Sequence, residues 1–204
     1  SNEAGASLSR SGVYLVRNNN TPTTFTNVAA DAEINFCLAS VSPTGAATNG
    51  ITRTFTSLTS FGADDKMKSS ATGGVNPWPT DKYLNIWVCN LGGGLLGYAQ
   101  FPGGPAATDG VVMGYTCFGN TGIAQAPYNK GRTATHEVGH WLNLRHIWGD
   151  ADCGSDLVSD TPTQKTSNYG CPTHPYNVGG CSGNTTGEMF MNYMDYVDDA
   201  CMYM

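Results

Sequence analysis

The sequence predicts an α+β fold, and three observations predict it. Short aromatic and β-branched runs bounded by Gly, Pro or Asn recur through the first 120 residues. One uninterrupted segment with helical apolar spacing follows them. The remainder is rich in Gly, Asp, Asn, Pro and Cys and has no apolar period at all.

The elements can be taken in order. DAEINFCLAS (31–40), KYLNIWVCNL (82–91), GLLGYAQF (94–101) and GVVMGYTCFG (110–119) read as strands. Between the first two, TRTFTSLTSFGADDKMKS (52–69) places Phe55, Leu58 and Phe61 at helical spacing and predicts a helix. RTATHEVGHWLNL (132–144) predicts a second helix, with Ala134, Val138, Trp141 and Leu142 on its apolar face and no proline inside. From Asp150 to Gly187 turn residues dominate, and no internal repeat is present. The reading is a single domain over 1–204, with an N-terminal subdomain to about residue 143 and an irregular C-terminal subdomain over 144–204.

Composition excludes several functions. The net charge is −6 and no Lys/Arg run exists, so neither nucleic acid nor an anionic membrane surface is an expected partner. No stretch reaches the roughly 18 apolar residues of a membrane span. The opening SNEAGASLSR has no basic or apolar run of the kind a signal peptide carries. Of seven cysteines, Cys153, Cys171, Cys181 and Cys201 fall in the turn-rich end, where crosslinks substitute for a core and point to an oxidising, extracellular setting. Four cysteines allow three pairings, which the sequence leaves open. Cys37, Cys89 and Cys117 lie in apolar runs and are expected as buried thiols.

The second helix carries chemistry. His136 and His140 are four residues apart and project from one face, so both reach one ion. Glu137 lies beside them. Two neutral imidazoles holding Zn²⁺, with a carboxylate to take a proton from a zinc-bound water, is the arrangement of the zinc proteases. The chain has four histidines, and His146 puts a third within the eleven residues 136–146. On a continuous helix His146 would point away, so the chain must turn near position 143. Glycine is usual at such a turn; Asn143 is the next most tolerant side chain of the left-handed conformation and fills the same role. His174, in a loop, is expected to have no metal role, and Glu188 as a third ligand is set aside in favour of the nearer His146.

HEVGHWLNLRH, with MNYMDYVDDACMYM downstream, resembles the metzincin signature and its Met-turn. Together with HIWGD, DTPTQ and LNIWVCNLGGGLLGYAQFPGG, it resembles the pappalysin family over roughly 31–204. The resemblance implies a zincin-like catalytic domain: a mixed twisted sheet plus helices over an irregular, disulfide-linked C-terminal subdomain. It implies His136, His140 and His146 as zinc ligands, Glu137 as general base and acid, Met194 in the Met-turn and Tyr196 as a residue swinging towards the metal. It also implies the pairings Cys153–Cys181 and Cys171–Cys201.

The expected function is that of a secreted, monomeric zinc endopeptidase acting on proteins and peptides. The alternative is an inactive protein-binding module on the same scaffold, which would have no use for Glu137. GGGLLGYAQ reads as an edge strand to which a substrate adds as an antiparallel strand. Asp150, Asp152, Asp156 and Asp160, with Thr161, cluster oxygen ligands suited to Ca²⁺; the resemblance also implies structural calcium here, with Asp156 and Thr161 as the expected ligands. Asp195, Asp198 and Asp199, after the Met-turn, lie in the segment that walls the pocket past the scissile bond in metzincins. They predict a preference for basic residues next to the cut.

Overall fold

The computed structural model describes residues 20–30 and 32–204, so the SNEAGASLSR segment lies outside the described residues. Two compact units divide the chain. Among the described residues, the first is 35–142, and the second is 20–34, without residue 31, together with 143–204.

The first unit is built on a three-stranded mixed sheet. β1 (Ile86–Cys89), β2 (Gly97–Ala99) and β3 (Val111–Gly114) lie in the order β1-β3-β2. β3 runs parallel to β1 and antiparallel to β2, with Val112 opposite both Trp87 and Tyr98. As the central strand, β3 is buried along its whole length, which is why its sequence is a continuous apolar run. Its side chains alternate between two cores. Val111 and Met113 pack with Cys117 against Ala134, Val138 and Trp141 of the helix α1 (Arg132–Trp141). Val112 packs with Trp87, Phe61 and Met67 on the other face. Trp141 Nε1 donates to Asp109 Oδ1 at 2.8 Å, tying the end of α1 to the loop entering β3. Lys68 is 3 % exposed, yet its ammonium is satisfied by Asp65 Oδ1 at 2.9 Å, by the Thr108 carbonyl at 2.7 Å and by the rings of Trp87 and Tyr98.

The second unit has a single 3-10 turn, Thr23–Phe25, and otherwise irregular backbone among the described residues. A core exists even so: Phe25, Ile147, Trp148, Met189, Phe190, Met191, Val197 and Met202 cluster together. Disulfides join Cys153 to Cys181 and Cys171 to Cys201.

Two expected elements are absent. Residues 32–40 form no strand: Glu33 has φ +53°, and Glu33, Ile34 and Cys37 are exposed. Exposure of Cys37 also corrects its expected burial, whereas Cys117 is buried and Cys89 partly so. Residues 52–69 form no α-helix, only a 3-10 turn at Lys66–Lys68. Thr and Ser fill that segment and compete for its backbone; Leu58 N donates to Thr56 Oγ1, and Phe55 is 92 % exposed, so only Phe61 of the expected apolar face is buried. No helix among the described residues is long and apolar enough to cross a membrane.

Candidate active site

In the first unit, α1 presents the metal-ligating pair. His136 and His140 are buried, and their Nε2 atoms face each other at 3.0 Å. A four-residue step on a helix brings two side chains to one point, and here both present the same ring nitrogen there. Two buried imidazoles whose Nε2 atoms meet at one place make a donor set that fits zinc once both are unprotonated there. The His140 ring also packs on Phe101, at 5.2 Å between centroids.

Glu137 is 6 % exposed, and its burial pushes the carboxyl up to about 8. Its neighbour is a glycine. A Cβ placed on Gly97 of β2 would lie 2.9 Å from Glu137 Cγ, 3.0 Å from its Oε1 and 2.8 Å from the Val112 carbonyl oxygen. The missing side chain at Gly97 is therefore the space that the Glu137 side chain uses. α1 ends after Trp141: Leu142 caps it with φ −85° and Asn143 takes φ +79°, the left-handed turn read from the motif.

In the second unit, His146 is the centre of an aromatic and polar cluster. Its ring stacks on Trp148 at 4.4 Å with 5° between planes, and Tyr196 meets both rings edge-on. Asp150 Oδ1 lies 2.5 Å from His146 Nδ1, and the Tyr196 hydroxyl lies 2.9 Å from Nε2. A carboxylate only accepts, so Nδ1–H donates to Asp150, and in the neutral ring Nε2 accepts from Tyr196. The Met194 carbonyl accepts from Ile147 N at 3.1 Å, and Met194 N donates to Asn192 Oδ1 at 2.8 Å, so the methionine turn is bonded to the residue after His146. The Met194 side chain is buried.

Asp195 is fully buried and accepts four hydrogen bonds: from Gln164 Nε2 at 2.7 Å, Asn168 N at 2.8 Å, Asn168 Nδ2 at 3.0 Å and Tyr196 N at 2.8 Å. Burial pushes its carboxyl up, opposed by these bonds. Asn168 Nδ2 also donates to Glu188 Oε2 at 3.0 Å, and Glu188 Oε1 accepts from Val178 N at 3.1 Å. Glu188 and Asp195 thus pin loop backbone to the methionine turn, which commits Asp195 to an internal role. Sequence reasoning missed this network, because its donors lie 27 and 31 residues from Asp195. It also missed Asp150 as a partner of His146, for which the four-residue spacing was the available signal.

The remaining acidic residues divide. Asp156 accepts from the Thr161 hydroxyl at 2.7 Å and from Val158 N at 3.2 Å. Asp152 pairs with Lys165, and Asp160 is exposed. Asp199 is buried and Asp198 is half-buried. His174 is bonded to the Thr186 carbonyl and packs on Phe25, a structural role.

A mixed sheet whose edge strand packs on an HExxH helix, followed in the chain by a disulfide-linked unit with a methionine turn, defines a zincin-like fold of the metzincin class. The chain belongs to the Peptidase_M43 family, the pappalysins: the family model, Pregnancy-associated plasma protein-A, matches residues 69–204. A solved structure titled mature mirolysin of Tannerella forsythia in complex with a cleaved peptide is 55 % identical, with a TM-score of 0.87, covering 91 % of this chain and 71 % of that one. An extracellular metalloprotease of Arthroderma otae is 36 % identical over 73 % of this chain and 54 % of its own length. One from Verticillium alfalfae is 40 % identical over 60 % of this chain and 44 % of its own. The chain spans about half the length of these two curated relatives.

Proposed function

We propose that residues 1–204 form one catalytic domain, its two subdomains divided near residue 143, of a secreted zinc-dependent endopeptidase that cleaves protein and peptide substrates as a monomer. The observation that carries the reading is the buried His136–His140 pair with Glu137 between its members. The extracellular relatives and the two disulfides support secretion.

His136, His140 and His146 would hold the zinc. Bound there, zinc supplies Lewis acidity, polarising the scissile carbonyl and acidifying water. Glu137 takes a proton from the attacking water as the new C–O bond forms at the carbonyl carbon. It returns that proton to the amine nitrogen as the C–N bond breaks. Burial raises this carboxyl above the usual carboxylate range, which favours its holding the proton until the amine leaves. The Tyr196 hydroxyl donates a hydrogen bond to the carbonyl oxygen as negative charge develops on it. β2 pairs only with β3 among the described residues, which leaves its other edge for an extended substrate strand.

A preference for basic residues beside the cut rests on Asp198 and Asp199, since Asp195 is spent on Gln164, Asn168 and Tyr196. Profiling cleavage of a mixed peptide library checks it: Arg or Lys enriched directly after the cut supports the reading, and apolar enrichment with Arg and Lys depleted removes it. Structural calcium held by Asp156 and Thr161 is supported by their 2.7 Å contact in an oxygen-rich loop. Melting in calcium against EGTA should separate if the ion binds, and Asp156→Ala should abolish the difference. Metal analysis tests the zinc reading: the purified chain should carry one zinc, and His136→Ala or His140→Ala should lose it.

A further inference from the structure

We propose that Asp150 is the positioning residue of His146, selecting which ring nitrogen the third histidine presents to the metal. The proposal rests on the reading of His146 as a zinc ligand and extends it to a residue outside the metal-binding motif.

His136 and His140 are set by a helix packed on a sheet. His146 has no such support, because it lies in a stretch without helix or strand. Its ring plane is set by Trp148, which stacks on it at 4.4 Å and is itself buried in the core of the second unit. Stacking fixes the plane and leaves one ambiguity. A half-turn about the Cβ–Cγ bond keeps the ring in the same plane, exchanging Nδ1 with Cδ2 and Nε2 with Cε1. The indole face meets a flat ring in either case and discriminates weakly between them. Asp150 Oδ1, 2.5 Å from Nδ1, does discriminate: in the flipped ring it would face a C–H. The same contact places the proton on Nδ1 and leaves Nε2 unprotonated, the tautomer a metal requires.

The backbone is bent to make this contact. Gly149 N donates to the His146 carbonyl at 2.8 Å, and Gly149 and Asp150 then take φ of +64° and +56° in succession. Two left-handed residues turn the chain back beside the imidazole. A Cβ at Gly149 would sit 2.5 Å from Ser155 N, so that position requires glycine. At the next position Asp tolerates the left-handed region better than most side chains. The Asp150 side chain is 64 % exposed, so its removal opens no cavity, and a solvent-facing His–Asp pair adds little to folding stability. Its effect should therefore appear in metal affinity and not in the fold.

The test compares wild type, Asp150→Ala, Asp150→Asn and His146→Ala. Zinc affinity is measured by competition with a chromophoric chelator, apo-protein melting is followed by circular dichroism, and the imidazole N–H signals of the zinc-loaded protein are followed by proton NMR. Asp150→Ala should weaken zinc binding by about 10- to 100-fold, the usual cost of losing a carboxylate behind a ligating histidine. Asp150→Asn, which keeps an acceptor oxygen, should lose less. Apo melting should not change, and the slowly exchanging Nδ1–H signal of His146 should vanish in Asp150→Ala. Zinc affinity and N–H signal both unchanged in Asp150→Ala, while His146→Ala loses zinc, would overturn the inference alone. Zinc held normally by His146→Ala would overturn the ligand reading and the inference with it.

Discussion

At the scale of single residues, the motif was legible wherever its chemistry is local. His136, Glu137 and His140 lie within five positions, and helical geometry alone brings the two rings to one point. Asn143 was legible for the same reason: a chain leaving a helix sharply needs a residue tolerant of positive φ, and Asn143 has φ +79°. Asn143→Gly should leave zinc affinity and melting unchanged or slightly improved. Asn143→Val, forcing a β-branched residue into that conformation, should lower both. Equal behaviour of the two variants in a chelator-competition and melting series would show that the turn does not govern the ligand. Asp195 was illegible as a structural residue, because its role depends on Gln164 and Asn168, distant in sequence and brought to it only by folding.

At the scale of elements, sequence located β1, β2, β3 and α1 but overstated their lengths, since propensity does not mark where pairing stops. It failed over 32–40, where Glu33 turns left-handed and Ile34 and Cys37 stay exposed, and over 52–69, where Thr56 takes a backbone N–H and no partner buries Phe55. The edge strand β2 also makes room for the carboxylate on α1. Gly97 leaves room for Glu137, so Gly97→Ala should displace the carboxylate and reduce kcat by about 100-fold, the scale set by misplacing a reacting group by about 1 Å. Gly92→Ala, whose added methyl group would meet nothing closer than 3.7 Å, should be near neutral. Steady-state kinetics with zinc content measured in parallel would expose a merely structural effect, because zinc would then fall together with kcat.

At the scale of the whole molecule, the second unit holds its irregular backbone by crosslinks and buried polar networks rather than by secondary structure. Its disulfides span 28 and 30 residues, and closing loops of that size stabilises by about 3–4 kcal/mol each. Replacing Cys153 and Cys181 together by Ala should lower the melting temperature by several degrees, with mild reductant doing the same to wild type. An unchanged melting curve would mean that the apolar cluster around Met189, Met191 and Val197 suffices alone. Zinc and Glu137 acting together in peptide-bond cleavage can be followed with a fluorogenic peptide and the purified chain. The chain is stripped with phenanthroline and reloaded with zinc beside an identically treated Glu137→Ala. Activity should be lost on stripping, recovered on reloading, and down by several orders of magnitude in the zinc-loaded variant. Turnover that survives stripping, or near-wild-type turnover in zinc-loaded Glu137→Ala, would contradict it.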